Sequence, residues 1–274
     1  MILSDILSEK GITQYCVVPI SNEFVLYPHK LEKSSFEHKN AIVCLFPYYV
    51  SSHPKDAVLS RYASAPDYHI VVIRILKEIC EVLSSHYKDY SFDCFSDNSP
   101  YCEKDLAASG GLIIRGRNDI GLNDKYGQFF FIGEIVTDAP LPHEIRSAPS
   151  CCKDAPCIKA CPTGAISRDG FKRELCLSYI SQMSGADFNE ENAKLFSHAT
   201  SAWGCDICLN ACVKNRALPD TPIADFKNTM PYISIDDIEA LSNREYKEKY
   251  ADRAFSSRSK NIMLRNLRHL KEKI

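Results

Sequence analysis

Eight of the chain's thirteen cysteines lie between positions 151 and 212: Cys151, Cys152, Cys157, Cys161, Cys176, Cys205, Cys208 and Cys212. A stretch this rich in thiols must fold around disulfides or around bound metal. Disulfides explain it poorly. Thirteen is odd, and the opening MILSDILSEK brings in Asp5, Glu9 and Lys10 before any apolar run of a secretory signal forms. A cytoplasmic location is therefore expected. The longest apolar stretch, AIVCLFPYYV from position 41, is half of the roughly 20 residues a membrane-spanning helix needs, so no membrane role is expected. The five other cysteines, Cys16, Cys44, Cys80, Cys94 and Cys102, sit mostly among apolar neighbours and read as small core residues.

Within the dense segment, CCKDAPCIKACPTGAI places Cys157-x3-Cys161 directly before Pro162, and GCDICLNAC supplies Cys205-x2-Cys208-x3-Cys212. The first pattern is the end of the bacterial ferredoxin run C-x2-C-x2-C-x3-C-P, in which the last thiolate serves a second cluster. The Pro turns the chain away from the first cluster, so the next Cys reaches its neighbour. Four-thiolate zinc sites also use C-x2-C pairs, but eight thiols, the C-P ending and no His within either group favour two 4Fe-4S clusters. Cys176 lies between the groups in RELCLSYIS, read as a helix. Counting back from Cys157, the second ligand of the run falls on Asp154; Cys151 and Cys152 offer thiolates instead, and spacing leaves the choice between Cys152 and Asp154 open.

Upstream, the pattern alternates between strand and helix. Residues 41 to 46 read as a buried strand. Val72, Ile75, Leu76, Ile79 and Leu83 repeat at the helical period across 67 to 86. A helix is expected after Pro100, with Ser99 as its N-cap, and QFFFIGEIVTD reads as a central strand. Pro140 and Pro142 close this region, and PHEIRSAPS reads as a linker. The expected fold class is α+β in three consecutive parts: a sheet-containing domain over 1–142, a ferredoxin-like module over 151–216 and a helical segment over 217–274. That last segment is basic: from Arg244 to Ile274 it carries a net +6, on a chain whose total is −2. The overall charge excludes a wholesale polyanion binder. The local excess suggests a phosphate contact, for which Lys260, Arg265 and Arg268 are the candidates.

Taken together with SRYASAPDYH at 60–69, SDNSPYCEKDLAASGGL at 96–112, KYGQFFFIGEIVTDAPLP at 125–142 and SSRSKNIMLRN at 256–266, in that order, the cysteine module resembles the epoxyqueuosine reductases. The resemblance covers about residues 40 to 270 and is to a short form without C-terminal helical repeats. It implies a cobalamin bound base-off over the sheet domain, fed with electrons by two 4Fe-4S clusters. It also implies an oxidoreductase that reduces epoxyqueuosine in tRNA to queuosine, drawing on an external electron donor such as a flavodoxin or ferredoxin. By motif position, Cys161, Cys176, Cys205 and Cys208 would hold the cluster nearer the cobalamin. Cys157 and Cys212, with Cys151 and either Cys152 or Asp154, would hold the other. Ser178, Tyr179, Cys205 and Asp206 match stretches that border the corrin.

Asp97, in SDNSP, matches the family's acidic residue proposed as proton donor. Reductive C–O cleavage leaves an oxyanion that a nearby carboxylic acid can protonate, and burial beneath a corrin would favour the protonated acid. Without the resemblance, Asp97 beside Asn98, Ser99 and Pro100 reads as a turn residue. Two other functions fit the cysteines: a two-cluster electron carrier with no substrate of its own, and a cobalamin-dependent reductase of a small molecule.

Overall fold

The protein was analysed as a computed structural model that describes residues 3–271. The outermost ends of the first and last expected segments, including Glu272 and Lys273 of the basic stretch, lie outside it. It is a mixed helix and sheet fold that divides into two compact units. Both are discontinuous in sequence. The first comprises residues 1–47, 68–116 and 120–151; the second comprises 48–67, 117–119 and 152–274. Residues 48–67, expected within the sheet-containing part, group with the cysteine-bearing residues in the second unit.

The first unit is built on a four-stranded antiparallel sheet of order β1-β2-β6-β3, formed by β1 (Tyr15–Pro19), β2 (Asn40–Pro47), β3 (Phe92–Phe95) and β6 (Phe130–Thr137). A small ribbon pairs β4 (Ile114–Arg115) with β5 (Gly121–Leu122). The apolar run at 41–46 is β2, and QFFFIGEIVTD supplies β6, both interior to the sheet as their burial on two faces requires.

Strand alternation sends Ala41, Val43, Leu45, Phe130 and Val136 into one core with Leu106 and Ala107 of the helix Glu103–Ser109. The helix Tyr68–His86, built on the predicted apolar stripe, packs on β3 and β6. It comes so close that a Cβ added at Gly133 would meet Val72 at 2.6 Å and Phe46 at 2.9 Å. Glycine at 133 is what lets the helix lie that near the strand.

Two local expectations are corrected here. The helix after Pro100 begins at Glu103 with Cys102 as its N-cap, because Ser99 is engaged elsewhere: its hydroxyl donates to Glu134 and accepts the Tyr101 N–H at 3.0 Å. The stretch read as a linker is tied to the sheet. Glu144 exchanges backbone hydrogen bonds with Val17 of β1, and the Arg146 N–H reaches the Gly110 carbonyl at 2.8 Å. It covers an edge that would otherwise expose unpaired backbone groups.

The second unit has short helices and two apolar clusters. One gathers Leu59, Trp203, Ile238, Tyr246, Phe255, Met263 and their neighbours; the other holds Leu177, Ile180, Phe196 and Ala199. The helix Lys260–Lys271 carries two polar residues inward. Asn266, fully buried, donates to the carbonyls of Ser181 and Ala202 at 2.7 Å each. Arg265 is 3% exposed, donates to the carbonyls of Met183 and Gly185 at 3.1 Å and lies over the Phe188 ring at 3.8 Å. Arg265 is therefore not a surface phosphate contact, correcting the reading of the basic segment. Arg268 pairs with Glu239 at 2.8 Å, and Lys260 bonds the carbonyls of Glu239 and Leu241. No described helix is long and apolar enough to cross a membrane.

Candidate functional site: a thiol-rich centre and an acidic loop

In the second unit the helices Pro156–Ala160 and Ile207–Ala211 pack together, bringing the two cysteine groups into contact. Cys161 and Cys212 occupy the two C-caps, in extended conformation. Cys176 is not helical as expected: it sits at an extended break between a 3-10 turn over Arg173–Leu175 and the helix Leu177–Ile180. That break frees the N–H groups at the start of the following helix to face its sulfur.

The thiols sort by which charges they feel. Cys176 feels the charge of Cys161, Cys205 that of Cys208 and Cys176, and Cys208 that of Cys176 and Cys161. Separately, Cys157 borders Cys212 and Cys152. Among the described residues no three His, Cys, Asp or Glu side chains converge tightly enough to hold a single ion. Cys151 closes the first unit, half-buried, and Asp154 is exposed.

Burial pushes the Cys205 and Cys208 thiols up to about 12. A neighbouring cation must offset that cost before either becomes a thiolate. Other groups work toward the thiolate. Against burial, the Thr163 hydroxyl and the N–H groups of Thr163, Ile166 and Ala165 hold the Cys161 thiol below its ordinary value. The N–H groups of Tyr179 and Ser178 act on Cys176, and the Asn118 amide donates to Cys208 at 3.4 Å. Sulfurs surrounded by amide donors, without a His in either group, are the donor set of iron–sulfur centres. The residues present fit such clusters.

Of the residues implied for the corrin, Tyr179 is 37% exposed with Arg173 over its ring at 4.9 Å, and Ser178 is half-buried. Asp206 is committed differently: it is buried, its carboxylate accepts the Arg61 N–H at 2.7 Å, and burial pushes its acid up to about 6. With His53, Lys55, Arg61, Thr200 and Asn210 it lines a cavity of about 430 Å³. Gly204, next to Cys205, has φ of +76°, and a Cβ there would meet Ser60 Oγ at 2.1 Å. Only glycine fits between that cysteine and the 60–62 turn.

In the first unit, Asp97 has a left-handed backbone, φ 63°. Its carboxylate accepts the Tyr68 hydroxyl at 3.0 Å and lies 3.4 Å from His69 Nε2. His69, with Tyr68 assisting against burial, holds the Asp97 acid below the usual carboxylate range. In the chain as it stands Asp97 is therefore ionised, and it must take up a proton before it can donate one. Sequence reasoning singled out Asp97 but missed Tyr68, His69, Glu103 and Glu134. One of the four carried a readable signal: Glu134 is a carboxylate in the middle of an otherwise apolar strand.

A family model described as "Epoxyqueuosine reductase QueG, DUF1730" matches residues 29–98. An epoxyqueuosine reductase of Escherichia coli (strain K12) is 34% identical over 197 residues, covering 71% of this chain and 51% of that protein. One from Aliivibrio fischeri is 33% identical over 174 residues, covering 63% of this chain and 46% of that protein. The chain thus spans about half the length of the curated relatives it matches. Among solved structures, a crystal structure of epoxyqueuosine reductase with a tRNA-Tyr epoxyqueuosine-modified stem loop shares the fold at a TM-score of 0.83 and 20% identity, covering 98% of this chain and 79% of that one.

Proposed function

Because this chain belongs to the epoxyqueuosine reductase family, we propose that it is a cytoplasmic oxidoreductase that reduces epoxyqueuosine in tRNA to queuosine, using two 4Fe-4S clusters and cobalamin. The observation that carries the cofactor reading is the packing of the helices Pro156–Ala160 and Ile207–Ala211, which brings the two cysteine groups together; the charges the thiols feel divide them into Cys161, Cys176, Cys205 and Cys208 on one side and Cys152, Cys157 and Cys212 on the other. The first four hold one cluster. The second set, with Cys151, holds the other; Cys152 is preferred to Asp154 because it borders Cys157 and thiolate is the softer donor.

Cobalamin would supply a strongly reducing centre for C–O cleavage, the clusters the electrons. The chain's own residues supply the rest. Ser178 and Tyr179 would border the cofactor, and the N–H groups at Cys161 and Cys176 favour the thiolate forms. Asp206 ties the 60–62 turn to the start of the helix Ile207–Ala211 and lines the cavity beside it, where it would border the cofactor with Ser178 and Tyr179. Asp97 is the group that protonates the departing oxygen, with His69 and Tyr68 orienting its carboxyl and His69 able to hand it a proton. Reducing equivalents come from an external donor of the flavodoxin or ferredoxin kind.

The test is anaerobic purification, iron, sulfide and cobalt analysis after reconstitution, and incubation with an epoxyqueuosine-containing tRNA stem loop. Nucleoside mass spectrometry should show loss of one oxygen. Stoichiometric zinc without acid-labile sulfide, or a fully loaded protein that leaves the nucleoside unchanged, would remove the reading.

A further inference from the structure

Strand alternation gives Glu134 no choice of face: it lies on the side of Phe130, Ile132 and Val136, within the core, and is fully buried. One carboxyl oxygen accepts the Ser99 hydroxyl. The other has no hydrogen-bond partner. A carboxyl placed in an apolar core at that cost is expected to serve a position rather than stability.

The second acid is Glu103, at the start of the helix that packs over the same face. Its carboxylate accepts the backbone N–H of Asp97. The two carboxyls are near enough for Glu103 to raise Glu134, and the groups facing them are Ser99, Tyr101, Asp97, His69 and Lys104. Both ends of the Asp97–Ser99 segment are therefore tied to acids beneath it. Asp97 sits at one end in a conformation that non-glycine residues disfavour.

We propose that Glu103 and Glu134 are positioning residues for Asp97, holding the loop so that the Asp97 carboxyl is presented on Tyr68 and His69. Glu103 fixes the left-handed turn by taking its N–H, and Glu134 anchors the loop's far end through Ser99. The role in turnover rests on the proposed reductase function; the role in loop geometry does not.

The experiment is amide hydrogen exchange on the full chain, read in peptides spanning 96–101 and, as control, in the helix Tyr68–His86. In Glu103→Ala, exchange at the Asp97 amide should rise by about tenfold, the equivalent of one lost hydrogen bond, with the control helix unchanged. Glu103→Gln keeps an acceptor oxygen and should recover most of the protection. Ser99→Ala should loosen the far end of the loop in the same peptides. In single-turnover assays Glu103→Ala should lower the rate while leaving substrate affinity in place. Unchanged exchange at Asp97 in Glu103→Ala, or Gln behaving no better than Ala, overturns the proposal. If Glu103→Ala unfolds, the Gln and Ser99→Ala proteins decide the matter by the same readout. A wild type without reductase activity would count against the function alone, since the exchange measurement needs no turnover.

Discussion

The side-chain amide of Asn118, 4% exposed, donates to the sulfur of Cys208 across 3.4 Å. A donor aimed at a cluster thiolate stabilises the reduced, more negative state. Asn118→Leu keeps the volume and removes the donor. With a neutral hydrogen bond worth about 1 kcal/mol, the midpoint potential of one cluster should fall by on the order of 40 mV in an EPR-monitored redox titration. Unchanged potentials for both clusters would take Cys208 out of the ligand set.

Asp97→Asn should retain both clusters and cobalamin binding while turnover drops by about 100- to 10,000-fold, the usual contribution of a general acid. His69 and Tyr68 lower the Asp97 acid, so its protonated fraction grows as pH falls. The single-turnover rate should accordingly increase toward acid pH in the wild type and lose that dependence in the variant. Were Asp97 only a turn residue, Asn would be well tolerated and turnover near normal.

Arg265→Ala removes two hydrogen bonds from a buried cation to main-chain carbonyls and should cost about 2 to 3 kcal/mol in chemical denaturation. RNA affinity measured on the folded fraction, and its salt dependence, should stay as in the wild type. A variant of normal stability with a shallower salt slope would return Arg265 to the RNA-facing surface.

Burial first, with Glu103 adding to it, pushes the Glu134 acid from 4.5 up to about 8. Between those values the unfolded chain has released a proton that the folded chain still holds. Stability from this group is complete below 4.5 and falls as pH rises through about 8, by up to about 1.4 kcal/mol per pH unit. Glu134→Gln should flatten that slope in urea titrations across the range and be the more stable protein at its alkaline end. An identical slope in both proteins would place the titration elsewhere.

The strands at 40–47 and 130–137 and the helix at 68–86 were legible because hydrophobic period and length specify them locally. The concentration of eight thiols in one stretch was legible because it lies in the residue types themselves. The start of the helix at Glu103 was not, since Ser99 has the chemistry of an N-cap and is drawn off by Glu134, 35 residues away. Arg265 carries a charge that a sequence reading assigns to solvent; two carbonyls and a phenyl ring from residues 183 to 188 draw it inside.

By itself, then, the sequence determined the sheet's interior strands, the apolar face of the long helix and the family. These depend on residue type and spacing along one stretch of chain. Tertiary structure alone decided that residues 48–67 join the cysteine-bearing unit and that Cys176 sits at a break rather than in a helix. It also decided that the Asp206 carboxylate takes the Arg61 N–H, and that Asp97 is held ionised by His69 and Tyr68 above the half-buried Glu103 and the buried Glu134. Each of these depends on which distant groups meet a given atom, and the protonation and role of a carboxyl are set by those neighbours, not by its own position in the chain.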